Sequence, residues 1–90
     1  MVVFEQEIVV GNLCGLHGRP SVKLVETARC FRADIKLVRD DVEVDCKYIL
    51  DVMSLACPKG TKVKIKACGE DAEAAIAALS ELVRDNFGEE

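Results

Sequence analysis

The sequence predicts an α+β fold, an open sandwich of order β-α-β-β-α-β-α with a largely antiparallel sheet and helices covering one side. Three observations carry this. Strand-type alternation occurs at 33–39, 42–47 and 62–67, after a Val-rich opening stretch. Helical spacing of apolar residues separates and follows these segments. No repeat, low-complexity run or linker interrupts the 90 residues, which suit one domain over 1–90 around one core.

Residues 2–10 hold Val2, Val3, Phe4, Ile8, Val9 and Val10 around Glu5-Gln6-Glu7, a strand composition. Residues 11–18 form a loop with three glycines. From Pro20 the period changes. Val22, Leu24, Val25, Ala28 and Phe31 fall three or four apart, and Pro20 suits the first helical position because its missing N–H has no intrahelical partner there. Residues 33–39 and 42–47 then read as a hairpin across Asp40-Asp41. The short apolar run 48–56 fits strand or helix. Ala, Leu and Met favour a helix of about two turns, ended by Pro58 and Gly60. Lys62-Val63-Lys64-Ile65-Lys66-Ala67 alternates, with the lysines on one face. Ala72, Ala75, Ile76, Leu79, Leu82 and Val83 mark a final amphipathic helix, and Glu70 and Asp71 both suit its cap.

Composition narrows the function. A net charge of −4 disfavours nucleic acid, whose binding draws on a basic surface. No apolar run approaches the roughly 18 residues of a membrane span, and the N-terminus lacks a signal-peptide pattern, so a cytosolic location is expected. The five cysteines are odd in number and without a C-x-x-C, which suits, for most of them, small buried side chains in a reducing compartment more than a disulfide framework, with Cys14 the exception because of where it lies. With no Trp and four aromatics, the core is expected to rest on Val, Ile, Leu and Ala.

The single histidine lies in Cys14-Gly15-Leu16-His17-Gly18-Arg19-Pro20, beside a helix start. A helix N-terminus offers unpaired N–H groups and partial positive charge, a ready phosphate site. Arg19 adds a planar cation, and Gly15 and Gly18 allow close approach. His17 supplies a nitrogen nucleophile of a type whose ordinary pKa lies near neutrality. Such a loop can hold a phosphate and accept one covalently.

Gly15-Leu16-His17-Gly18-Arg19-Pro20 resembles the G-L-H-x-R-P motif of the HPr family, including its nitrogen-related NPr branch: the histidine-containing phosphocarriers of the bacterial phosphotransferase system. Length, element order, Lys47-Tyr48-Ile49-Leu50, Pro58-Lys59-Gly60-Thr61 and Gly69-Glu70-Asp71-Ala72 extend the likeness across nearly the whole chain. The resemblance implies the HPr-like open-faced sandwich, a four-stranded antiparallel sheet with three helices on one face. It implies that enzyme I, charged by phosphoenolpyruvate, phosphorylates His17 on Nδ1, and that an EIIA-type protein receives the group. Arg19 would stabilise the phosphoryl group, Pro20 would shape the helix start, and N–H groups near Gly18 and Arg19 would bind its oxygens. Ile49, Leu50 and Met53 would dock partners, with at least two of them exposed. The protein would be a carrier without turnover of its own, needing no cofactor or metal, and a monomer.

Three departures stand out. The first is Cys14, three residues before His17, where oxidation or alkylation of a thiol facing the site would block phosphotransfer, although a quiet loop cysteine is the favoured reading. Tyr48 occupies the place of the regulatory serine found in some family members, which leaves no serine to phosphorylate there. Gly18 replaces a larger residue between His17 and Arg19, with an expected cost of up to about 1 kcal/mol relative to Ala if it lies inside the helix. Two other readings compete. A soft-metal carrier would use Cys14 and His17 in their C-x-x-H spacing but leave Arg19 and Pro20 idle. A regulatory adaptor of the same fold would use no histidine chemistry.

Overall fold

The computed structural model describes residues 2–88, so Met1, Glu89 and Glu90, the ends of the expected 1–90 span, lie outside the described residues. The element order is β1 (Val3–Val9), α1 (Arg19–Ala28), β2 (Asp34–Arg39), β3 (Val42–Asp45), α2 (Ile49–Ser54), β4 (Lys62–Cys68) and α3 (Ala72–Arg84). A short 3-10 turn at Asn86–Gly88 follows. The four strands form one antiparallel sheet in the order β1-β4-β2-β3.

The strand alternation sorts the two faces. Ile8, Ile35, Leu37, Val63, Ile65 and Ala67 are buried beneath the helices. In register, Ile8 stands opposite Val63, and Ile65 and Ala67 stand opposite Leu37 and Ile35. The other face carries the lysines of β4. Lys66 pairs with Glu43 at 3.0 Å and Lys64 with Glu5 at 3.6 Å. Exposed pairs of this kind contribute little to stability and keep that face wet.

Helix α1 lays Pro20, Ser21, Leu24, Val25 and Ala28 on the core. Val22, expected on that face, is exposed, because the apolar stripe runs through 21, 24, 25 and 28. Phe31 lies past the helix end and packs against the core from the loop. Helix α3 buries Ala72, Ala75, Leu79, Ser80 and Val83, with Ile76 and Leu82 partly covered. Asp71 sits at its N-cap position, yet no side chain caps the helix. The Asp71 carboxylate instead accepts the amides of Arg32 and Ala33, both at 2.9 Å, and so ties the loop before β2 to the start of α3.

The expected all-aliphatic core needs one correction: Phe87, in the final turn, is fully buried and is the largest such side chain. Lys23 of α1 donates to its carbonyl at 2.7 Å. Fewer of the cysteines other than Cys14 are buried than expected. Cys46 and Cys57 are buried, Cys68 is half-buried, and Cys14 and Cys30 are exposed.

Candidate phosphoryl-acceptor site

The loop from β1 to α1 presents His17 at the surface, one residue before the N-cap. Three contacts shape it. Gly15 N–H donates to Asn12 O at 3.2 Å, Leu16 N–H crosses to Cys57 O at 2.8 Å, and His17 N–H returns to Gly15 O at 3.0 Å. Leu16 is buried and anchors the loop, so its neighbour His17 faces outward. Gly15 has φ +68, and a Cβ there would stand 2.2 Å from Cys57 O and 2.8 Å from Pro58 Cα. Only glycine fits, because both the torsion and the close approach of the 57–58 backbone require it.

Helix α1 begins at Arg19, which places Pro20 at its second position and Gly18 at its N-cap. Val22 N–H opens the helical ladder by donating to Gly18 O at 3.2 Å. Pro20 has no N–H, so the first-turn amides beyond that ladder belong to Arg19 and Ser21, with Gly18 just before them. No acidic side chain lies in the first turn, so nothing there neutralises the positive helix end.

Gly18 does not meet the condition on which a helix-interior cost depends. It lies outside the helix, with φ 58 and ψ −131. A side-chain-bearing residue is strained in that conformation, whereas glycine adopts it freely. Gly18 therefore favours the observed loop, and the cost that applied only inside the helix does not arise.

His17 borders two contiguous grooves. One, of about 370 Å³, is walled by Cys14, Leu16, Met53, Ala56, Cys57 and Pro58. The other, of about 380 Å³, brings His17 together with Cys14, Gly18, Arg19, Pro20 and Met53. The structure thus unites His17, Gly18, Arg19, Pro20 and Met53 around one surface. Of the expected docking residues, Leu50 is 78% exposed. Met53 is partly covered, and Ile49 is partly buried against the core. Ile49 turns inward because α2 is only six residues long, one and a half turns, and must bury Val52 and part of Ile49 to stay seated. Only Leu50 of the three is therefore fully exposed, fewer than expected.

The α2 end of the site is braced from both sides. Arg39 donates to the carbonyls of Leu55 and Ala56. Tyr48 is the exposed N-cap residue of α2 and makes no capping hydrogen bond. The Arg29 guanidinium lies 5.7 Å from the Tyr48 ring centroid, and Arg29 Nε donates to Lys47 O at 2.7 Å, linking the end of α1 to the start of α2. Burial pushes the Cys57 thiol up, partly offset by the charge and hydrogen bond of Arg39, so the groove wall carries a thiol at neutral pH. Among the described residues no group of three or more His, Cys, Asp or Glu side chains is placed to hold a metal ion. No helix among them is long and apolar enough to cross a membrane.

Residues 4–85 match the family model PTS-HPr, described as the PTS HPr component phosphorylation site. The chain belongs to the HPr family. It is 40% identical to the phosphocarrier protein HPr of Xylella fastidiosa (strain 9a5c) over 88 residues, 98% of this chain and 99% of that protein. The crystal structure of HPr-C-His from Thermoanaerobacter tengcongensis superposes with a TM-score of 0.95 at 41% identity, covering 97% of this chain and 98% of that one. The phosphocarrier HPr of Bacillus anthracis str. Ames gives 0.89 at 35% identity, covering 92% and 99%. The sandwich expected from the resemblance is the HPr fold, and the phosphocarrier class follows from the family.

Sequence reasoning missed Asn12. It is 3% exposed and donates from Nδ2 to Gly15 O at 3.0 Å. The signal available was an Asn directly after Gly11 in a turn-forming stretch, a residue type that bonds nearby backbone.

Proposed function

We propose that this chain is a phosphoryl carrier: it accepts the group from enzyme I on His17 Nδ1 and donates it to an EIIA-type protein. The observation that carries this reading is the exposed His17 sharing one groove with Arg19, beside a helix start that holds no acidic side chain. In the first step the Nδ1 lone pair attacks phosphorus. An N–P bond forms as the bond from phosphorus to enzyme I breaks, and that electron pair stays with enzyme I. Arg19 and the first-turn amides face the added negative charge. In the second step an acceptor nucleophile repeats the displacement and returns His17 to its starting state. An open groove suits both steps, since each partner must bring its own reacting group to the same imidazole. Such a protein works as a monomer that each partner engages in turn, in the cytoplasm where phosphoenolpyruvate is available, and without a catalytic cycle of its own.

The test is direct. The protein is incubated with enzyme I and phosphoenolpyruvate, and intact mass and phosphorus NMR are recorded beside His17→Ala. An acid-labile adduct on the wild type, absent from the variant and discharged by an EIIA-type protein, is expected. No adduct from a cognate enzyme I that is active on another carrier would overturn the reading.

A further inference from the structure

We propose that Asn12 is a positioning residue for phosphoryl transfer, acting on His17 through the carbonyl of Gly15. The inference rests on the carrier reading above. Asn12 lies five residues before His17, outside the motif, and never reaches the imidazole groove. What it reaches is the backbone that aims the histidine. Asn12 Nδ2 donates to Gly15 O at 3.0 Å, and the same oxygen accepts His17 N–H at 3.0 Å. The Gly15 N–H returns to Asn12 O at 3.2 Å. Asn12 and Gly15 therefore hold each other reciprocally, and the Gly15 carbonyl carries both the clamp and the amide of the reacting residue.

The His17 contact spans only three residues, a γ-turn pattern. A turn this small leaves its acceptor free to tilt unless something else holds it. Leu16 N–H, bonded to Cys57 O at 2.8 Å, pins the peptide on one side. Asn12 pins the carbonyl on the other. Together they fix where the His17 Cα leaves the loop, and so where Nδ1 stands relative to Arg19 and the helix start. Placement of this kind matters: about 1 Å of misplacement at a reacting atom can cost on the order of a hundredfold in rate.

The amide orientation is set by its acceptor, because reversing it would place Oδ1 against another carbonyl oxygen. Oδ1 itself is buried with no partner among the protein atoms of the described residues. An apolar residue of equal shape would serve packing as well or better. The donor, and the carbonyl it holds, is what Asn supplies to the loop.

Asn12→Leu, which keeps the shape and removes the donor, and Asn12→Ala separate positioning from folding. Val83→Ala, buried in α3 away from the loop, serves as a control of lowered stability. Phosphorylation by enzyme I is measured at varied carrier concentration, and hydrogen exchange is followed at the His17 amide without any partner. In both Asn12 variants kcat falls roughly fivefold to tenfold, the effect of one hydrogen bond, with KM unchanged. Exchange at His17 quickens by a similar factor, and Val83→Ala moves neither. The proposal is overturned by a wild-type kcat in a folded Asn12 variant, by unchanged exchange, or by an equal loss in Val83→Ala. Failure of the wild type to be phosphorylated would instead sink the carrier reading, while the exchange arm would still report whether Asn12 holds the loop.

Discussion

Replacing Gly15 and Gly18 by alanine separates two kinds of glycine on one loop. At Gly15 the added Cβ meets Cys57 O at 2.2 Å and Pro58 Cα at 2.8 Å, and φ is +68. A left-handed torsion costs an L residue roughly 1–2 kcal/mol. Restoring ordinary contact requires the two backbones to part by about 1 Å, since dispersion contacts turn repulsive well above 2.2 Å. That movement sacrifices the Leu16 N–H to Cys57 O bond, about 1 kcal/mol more. The expected loss for Gly15→Ala is therefore about 2–3 kcal/mol. At the scale of a 60–100-residue domain this lowers Tm by roughly 10–25 °C. At Gly18 a Cβ meets nothing within 4 Å, so only the torsion resists. The expected loss there is about 1 kcal/mol, at the low end for strained backbone because the exposed loop can turn. Urea unfolding followed by far-UV circular dichroism reads both, with the shift in midpoint taken at constant m. A Gly15→Ala loss under about 1 kcal/mol, or a larger loss at Gly18 than at Gly15, would refute the steric reasoning.

The remaining predictions concern docking and pH. Leu50→Ala removes an exposed side chain from α2, so its Tm should match the wild type. The KM for phosphorylation by enzyme I should rise roughly fivefold if Leu50 is an interface residue of ordinary importance; an unchanged KM would remove Leu50 from the docking surface. Asp71 is held below the usual carboxylate range first by the Arg32 amide and then by the Ala33 amide. A depressed folded-state pKa gives stability that is present above the ordinary value of 3.8 and is lost as pH falls through the lower folded value. Asp71→Asn should be less stable than wild type at neutral pH and lose less on acidification, and parallel acid-unfolding curves for the two proteins would refute this role.

Local patterns made much of the protein legible. Alternation in 62–67 identified a strand and its inner residues, since period 2 follows from the pleat itself. The helical spacing of 72–83 identified α3 and its buried face. The six-residue motif located His17, Arg19 and Pro20 at a helix start, which the structure brings into one groove. Errors arose where a residue's role depends on torsion or on distant chain. Val22 matched the helical spacing, but the docking of α1 buried Ser21 and left Val22 in water. Phe87 follows the last periodic segment, so no pattern marked it for the core. Cys30 and Cys46 are alike by type and opposite in exposure.

Sequence by itself determined the element order, the inward residues of β4 and the histidine loop with its cation, because these depend on neighbours within a few positions, whereas Val42, apolar by the same alternation in β3, is exposed. Tertiary structure alone decided that β4 inserts between β1 and β2, since pairing of strands far apart in sequence leaves no local period. It alone set the roles of Gly15 and Gly18, through the backbone of residues 57–58 and a torsion at the helix cap. It alone joined Asn12 to Gly15 and Gly15 to His17, because a side-chain hydrogen bond to backbone depends on how the loop folds over itself.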